Sequence, residues 1–364
     1  MFHDFDYADR IDRARTLMSD RGIGALMLSV GADLPYFTGY EAMPLERLTM
    51  LVVAAGRPAA LVVPRLEAPR VDDRGFIEIQ PWDESDDPVA LAVDLAGSTD
   101  RVALGDTTWS TFLLQLQAAM PQARFEDASP LTRELRMRKE PAEIAFLRAA
   151  AEATDRVVVR LEATRFSGRS ESDLAAEVRS MTVEEGHDVA TFDIVASGPN
   201  AASPHHEPTD RVMQVGDTVV VDFGGRHAGY CSDTTRTFVI GQPSSEVADA
   251  YAVLEEAQAA GRAAVAPGVP AESIDAATRR VIDDAGYGDL FFHRTGHGIG
   301  LEGHEHPYIV DGNELTLETG MAFSIEPGIY QSGRWGMRIE DIVVCGDQAV
   351  DELNRSDRQL RVVG

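Results

Sequence analysis

Four carboxylates and one histidine in the C-terminal half have the clearest capacity for chemistry. The stretch Val219 to Thr237, VVVDFGGRHAGYCSDTTRT, reads as a β-hairpin. An apolar run ends at Asp222, a Gly-rich turn follows, and a β-branched run starts near Asp233. With a loop over Arg226 to Gly229, Asp222 and Asp233 stand directly opposite each other. Cross-strand partners have Cβ atoms only about 4.5–5.5 Å apart, so two carboxylates placed that way repel unless a cation sits between them. Downstream, AFSIEPGIYQSGRWGMRIEDIVV repeats the pattern, with Glu326 opposite Glu340 if the hairpin turns about Gly333. Two hairpins, each with an opposed acidic pair, suggest one carboxylate-rich site that holds metal.

Six of the nine histidines fall in two short stretches: His205 and His206 in SPHHEPTD, and His293, His297, His304 and His306 in FFHRTGHGIGLEGHEHPYIV. His297 is framed by Gly296, Gly298 and Gly300, which lets backbone and ligand approach closely and favours it as the nitrogen ligand. One histidine with four carboxylates is a hard, oxygen-rich set with room for two divalent ions, suited to Mn²⁺, Co²⁺ or Zn²⁺. Two such ions about 3.5–4 Å apart clamp a hydroxide and polarise a carbonyl, which is hydrolytic chemistry.

Other patterns carry less. Gly298, Gly300 and Gly303 fit G-x-G-x-x-G, but Pro307 and the histidines argue against the helix that a dinucleotide site needs. His293 and His297 are spaced as in a zincin helix, yet residue 294 is Arg where that motif has Glu. Ser324 has no evident base and reads as a strand hydroxyl; Cys231 reads as a small strand residue.

The elements that must position these residues follow an α/β alternation. Residues 7–21 have helical spacing at Ile11, Ala14 and Met18, and a strand follows at 25–30. PYFTGY, residues 35–40, reads as a turn and short strand. Apolar strands are expected at 48–54 and 59–63, joined as a hairpin, and another at 76–80. A helix at 88–96, a strand at 101–105, a helix near 111–120 and a strand near Arg124 complete a first domain over residues 1–130. A charged joint spans 131–141, and Pro141 suits the first turn of a helix running to about Thr164. A second helix at 171–185 has Ser170 as its cap, and a strand follows at 191–197. After the first acidic hairpin come helices near 247–266 and 271–285, then the glycine–histidine stretch and the second hairpin. The second domain, 142–364, is thus a helix pair plus hairpin, twice over.

Composition sets outer limits. A chain of 364 residues exceeds what one small core usually holds. With 60 acidic residues against 33 basic ones the net charge is −27, which argues against nucleic acid or anionic membrane as a partner. Lys139 is the only lysine. Two cysteines without C-x-x-C spacing form no disulfide framework, the N-terminal stretch lacks an apolar signal core, and no apolar run reaches membrane-span length. A cytoplasmic location is the expectation.

Taken together, VDFGG-x6-SDTTRT, HRTGHGIGLEGHEHP, SIEPGIY and RIED resemble the pita-bread metallopeptidases: Xaa-Pro dipeptidases (prolidases), aminopeptidase P and, more distantly, methionine aminopeptidase. The resemblance implies an α/β (α+β) protein with a C-terminal pita-bread (creatinase/aminopeptidase) domain behind a smaller creatinase-type N-terminal domain, and a homodimer. It makes Asp222, Asp233, His297, Glu326 and Glu340 ligands of two divalent ions, manganese first, with cobalt or zinc as alternatives. Asp233 and Glu340 would bridge, Asp222 would complete one site, and His297 with Glu326 the other. In the family a metal-bridging hydroxide attacks the peptide carbonyl, with the residue matching Glu326 as proton shuttle. His205 matches a substrate-facing histidine, and His304 one that steadies the tetrahedral intermediate. His293 and Arg338 match residues that organise the substrate side. The implied activity is cleavage between an N-terminal residue and proline in a dipeptide or short peptide. The competing expectations are a same-fold metal enzyme acting on a non-peptide substrate, such as an ectoine-type hydrolase or a lyase, and a non-enzymatic binding module.

Overall fold

A computed structural model of the chain describes residues 5–72 and 74–364. Packing divides it into two units, one ending at Arg136 and the other Met137–Gly364. Among the described residues no helix is long and apolar enough to cross a membrane.

The first unit opens with α1 (Tyr7–Arg21), capped by the Asp6 carboxylate on the Asp9 N–H and ended by Gly22 in the left-handed region. Ile11, Ala14 and Met18 are buried, as their spacing predicts. β1 (Ala25–Leu28) follows. PYFTGY differs from expectation: it lies in the short helix α2 (Asp33–Thr38), closed by Gly39, with Leu34, Tyr36, Phe37 and Thr38 buried. Packing overrides the strand preference of its aromatic residues here, and the Tyr36 hydroxyl donates to the Leu135 carbonyl at 3.3 Å. The hairpin β2 (Met50–Ala54) and β3 (Ala60–Pro64) forms as expected, while β4 (Glu78–Trp82) starts two residues late. α3 (Pro88–Ala96), β5 (Arg101–Leu104), α4 (Ser110–Ala119) and β6 (Arg124–Asp127) complete the alternation. The strands form one sheet in the order β4-β3-β2-β1-β5-β6. One cluster of buried residues gathers Met27, Val52, Val62 and Val102 from the sheet with Ala92 and Leu116 from the helices. α5 (Ser129–Met137) occupies part of the stretch whose charges suggested a joint.

In the second unit Pro141 opens α6 (Pro141–Glu162), and a capping box between Glu140 and Glu143 fixes its start. α7 (Glu171–Glu184) is capped by the Ser170 hydroxyl, as its sequence indicates. Next come β7 (Val189–Ser197), β8 (Thr218–His227), β9 (Tyr230–Cys231) and β10 (Thr234–Ile240). α8 (Ser245–Ala263) and α9 (Ala271–Asp284) lead to β11 (Gly296–Gly298), β12 (Glu305–Ile309), β13 (Ala322–Ile325), β14 (Gly328–Gln331), β15 (Trp335–Arg338) and β16 (Asp341–Cys345). β17 (Val350–Glu352) and β18 (Arg361–Val363) edge the two larger sheets, ordered β18-β10-β8-β7 and β12-β11-β13-β16-β17. A helix pair thus precedes a largely antiparallel sheet twice, the exception being β18, which pairs with β10 in parallel. The two halves are joined where Thr235 bridges Glu340, whose N–H donates to the Thr235 carbonyl at 3.1 Å.

Candidate metal centre and active site

The first acidic hairpin is tighter than its sequence suggested. Ala228 (φ 54) and Gly229 (φ 85) form a two-residue turn between the paired His227 and Tyr230. Left-handed conformations at both positions suit the twist of a hairpin. The register therefore shifts by two residues from the expected one. Asp222 pairs with Thr235, not with Asp233. A shift of two preserves the face, so Asp233 still lies diagonal to Asp222 on the same side, within reach across strands. The second hairpin has the expected register: Ile325 pairs with Asp341 and Gly328 with Arg338 on either side of Glu326 and Glu340.

His297 joins them from β11. A Cβ on Gly296 would stand 1.9 Å from the Ser324 carbonyl oxygen, and one on Gly298 2.2 Å from that of His306. The glycines around His297 thus let the flanking strands close in. His297 Nδ1 donates to the Gly298 carbonyl at 3.0 Å, which directs the unprotonated Nε2 into the site. There Nε2 lies 3.2 Å from Glu326 Oε1, 3.7 Å from Asp233 Oδ2 and 4.0 Å from Glu340 Oε1. Asp222, Asp233 and Glu340 offer oxygens within 4.8 Å of one another, and so do His297, Glu326 and Glu340 for their ligand atoms.

The electrostatics of this group call for a cation. Burial, then the neighbouring carboxylates Glu340, Asp222 and Glu326, hold Asp233 well above the usual carboxylate range. Burial followed by Glu326 and Asp222 does the same to Glu340, and burial raises Glu326 to about 7. Burial also lowers His297 to about 4, keeping the ring neutral as a ligand must be. Asp222 Oδ1 and Glu340 Oε1 are buried without a hydrogen-bond partner. Unsatisfied buried carboxylate oxygens are costly, and a divalent ion between them supplies what the protein leaves out. This donor set therefore fits divalent metal: Asp222, Asp233 and Glu340 around one position, His297, Glu326 and Glu340 around another.

The remaining sequence candidates surround the cluster in a cavity of about 940 Å³, whose wall includes Phe192, Ile194, Pro204 and Phe292. His205 is exposed on this wall. The His304 ring lies 3.8 Å from that of His297, centre to centre, and burial lowers it to about 4. Arg294 donates to His304 Nδ1 at 3.4 Å, so the neutral ring carries its proton on Nε2. His293 uses both nitrogens internally: Nδ1 donates to the Arg294 carbonyl at 2.7 Å, and Nε2 accepts from the Tyr330 hydroxyl at 3.0 Å. Arg338 is buried, donating to Tyr330 at 2.9 Å, Thr235 at 3.1 Å and Asp222 Oδ2 at 2.6 Å.

Three supporting residues escaped the sequence reading. Tyr330 links His293 to Arg338. The Thr235 hydroxyl donates to Glu340 Oε2 at 2.8 Å. Ser324, expected as a plain strand hydroxyl, accepts the His297 N–H at 3.0 Å and donates to Glu326 Oε1 at 3.1 Å. Each is an ordinary strand residue until its partner from another strand is placed. The one available signal was proximity to a ligand in the sequence: Ser324 is two residues from Glu326 and Thr235 two from Asp233.

The fold and this site define a metal-dependent hydrolase of the creatinase/aminopeptidase type, and comparison with known proteins makes the class specific. Residues 145–347 match metallopeptidase family M24, and residues 10–138 match the creatinase/prolidase N-terminal domain. A probable dipeptidase PepE of Mycobacterium tuberculosis is 45% identical over 98% of this chain and 96% of that protein. An Xaa-Pro dipeptidase of Lactobacillus helveticus is 36% identical over 97% and 98%. The crystal structure of dipeptidase PepE from Mycobacterium ulcerans superposes with a TM-score of 0.94 at 45% identity, covering 99% of this chain and all of that one. The chain belongs to metallopeptidase family M24 and is an enzyme of the pita-bread fold with a creatinase-type N-terminal domain. Family membership brings with it a requirement for divalent metal, which the buried acidic cluster suits.

Proposed function

We propose that this peptidase hydrolyses the bond between an N-terminal residue and proline, with dipeptides as its main substrates. Two divalent cations would be held by Asp222, Asp233, His297, Glu326 and Glu340, manganese being the first candidate and cobalt or zinc the alternatives. The observation that carries the metal reading is the pair of buried, unpartnered oxygens, Asp222 Oδ1 and Glu340 Oε1, inside one acidic cluster. Support for the substrate comes from the relatives named Xaa-Pro dipeptidase and prolidase, and from the apolar wall of Phe192, Ile194 and Phe292, which suits a pyrrolidine ring.

Divalent ions supply, when bound, Lewis-acid polarisation of the scissile carbonyl and a water made acidic near neutral pH. The chain's own groups do the rest. Glu326 takes on its carboxylate the proton given up by the attacking water and returns it to the leaving nitrogen. His304 offers its Nε2–H to the carbonyl oxygen as negative charge develops there. His205, on the exposed wall, orients the substrate backbone. The apolar wall excludes water around the ring. Arg338, through Asp222 and Thr235, steadies the acidic cluster from within the protein. A homodimer and a cytoplasmic location, both expected from the sequence, belong to the same proposal.

The test is a panel of Xaa-Pro dipeptides, Xaa-Pro-Yaa tripeptides and non-prolyl dipeptides, assayed with Mn²⁺, Co²⁺ and Zn²⁺ alongside light scattering for subunit number. Preferential metal-dependent cleavage of the Xaa-Pro dipeptides is expected. Metal binding without cleavage of any prolyl peptide would move the non-peptide relatives of the fold ahead.

A further inference from the structure

Arginine supplies every basic side chain in this protein except one: of 33 Lys and Arg residues, only residue 139 is lysine. Its side chain is only 1% exposed, and its ammonium donates to Glu305 Oε1 at 2.5 Å. Glu305 directly follows His304 and is the first residue of β12, at the point where the loop from β11 ends. That loop contains Gly300 and Gly303, so its backbone has little conformational preference of its own. Lys139, by contrast, is fixed. Its N–H donates to the Gly320 carbonyl at 2.9 Å, and Arg138 bridges Met321 at the entrance to β13.

We infer that the Lys139–Glu305 ion pair is a positioning device for His304, fastening the glycine-rich loop so that the His304 ring faces the reacting carbonyl. This rests on the reading of His304 as the donor to that carbonyl. The reason for lysine is geometric. Lys139 Cε lies 3.1 Å from where a Cβ on Gly300 would stand, and Glu305 Oε1 lies 2.6 Å from the same point. The slim methylene chain of lysine passes directly along the loop backbone at Gly300. A planar, five-donor guanidinium at this place would displace the loop, which is a physical reason for the single lysine in an otherwise arginine-only protein. A second tie acts on the same loop: the Cys231 N–H donates to the Gly300 carbonyl at 2.8 Å. The ion pair and the β9 backbone thus both hold the segment at Gly300.

The experiment uses the manganese-loaded full chain with Ala-Pro as substrate. Lys139→Arg, and the charge-free double variant K139M/E305M, are each made in the wild-type and H304A backgrounds. With metal content unchanged, kcat of Lys139→Arg is expected to fall about tenfold or more with KM nearly constant, because a misplaced group costs turnover rather than binding. In the H304A background the same substitution should cost nothing further, since the residue it positions is gone. K139M/E305M removes both partners of the ion pair together and should show the same loss of kcat. Wild-type kcat in Lys139→Arg, full activity in K139M/E305M, or an equal loss in the H304A background would each overturn the inference. Full turnover by H304A alone strikes instead at the catalytic reading of His304, so the two failures are separable.

Discussion

Arg338 and Asp222 share a 2.6 Å hydrogen bond that satisfies one carboxylate oxygen of Asp222 and leaves the other, Oδ1, buried without a partner. Thr235 and Glu340 repeat the arrangement: Oε2 is satisfied at 2.8 Å, and Oε1 is left unpartnered. The protein therefore pins each carboxylate by one oxygen and holds the second in readiness. Such preorganisation keeps the ligands in place before metal arrives, and the metal-free chain bears the repulsion.

That cost can be measured. Asp233→Asn removes a buried carboxyl whose ionisation is opposed first by burial and then by Glu340 and Asp222. In excess chelator the variant should be more stable than wild type, by on the order of 1–3 kcal/mol. It should also lose Mn²⁺ binding and turnover. Thermal unfolding with and without metal tests this, and a variant that is less stable in chelator contradicts the frustrated-site picture.

The pH dependence of the same site has a definite sign. Burial raises Glu326 from 4.5 to about 7 in the metal-free chain. A carboxyl whose folded value exceeds its unfolded value contributes stability fully present below about 4.5 and lost as pH rises through about 7. Glu326→Gln lacks this dependence. In chelator, the difference in Tm between Glu326→Gln and wild type should grow in favour of the glutamine as pH rises from 4.5 to 7. A constant difference across that range would contradict the assignment.

His187 titrates in the opposite sense. Burial lowers it from 6.5 to about 4, with Nδ1 donating to the Thr182 carbonyl and Nε2 accepting from the Ser232 hydroxyl at 2.7 Å. The unfolded chain takes up a proton first as pH falls, so stability is lost between about 6.5 and 4, on the order of 2–3 kcal/mol by pH 4. His187→Gln should start less stable at pH 7 yet decline less steeply toward pH 4. Parallel acid limbs for the two proteins would show that His187 does not set this slope.

Ser324→Ala tests the support behind the ligands. It removes the acceptor for the His297 N–H and the donor to Glu326. Loss of such outer partners typically weakens metal binding by about 10–100-fold. Titration with Mn²⁺ should show this weakening, with activity restored at high metal. Unchanged affinity would leave Ser324 as a strand hydroxyl with no influence on the site.

Much of this was legible in local sequence signals. Gly333 marks the turn of the second hairpin, and its register follows directly. The first hairpin was expected to turn over Arg226 to Gly229 and turns instead at Ala228 and Gly229; because strands alternate with period two, the shift moved Asp222 from Asp233 to Thr235 without changing its face. Helix starts such as Ser170 and Pro141 carry their own caps. What the sequence withholds is information held jointly by distant segments. α2 is a helix because Tyr36 and Phe37 are buried by packing, against their strand preference. The roles of Tyr330, Thr235 and Ser324 depend on partners brought from other strands, and the strand order of the first unit's sheet has no local signature at all.

The most direct measurement is anomalous diffraction at the manganese edge from crystals grown with Mn²⁺. Two peaks are expected among Asp222, Asp233, His297, Glu326 and Glu340, with Asp222 Oδ1 and Glu340 Oε1 turned toward them. A site without manganese at saturating concentration, or peaks held by other residues, would contradict the reading on which the proposed catalysis rests.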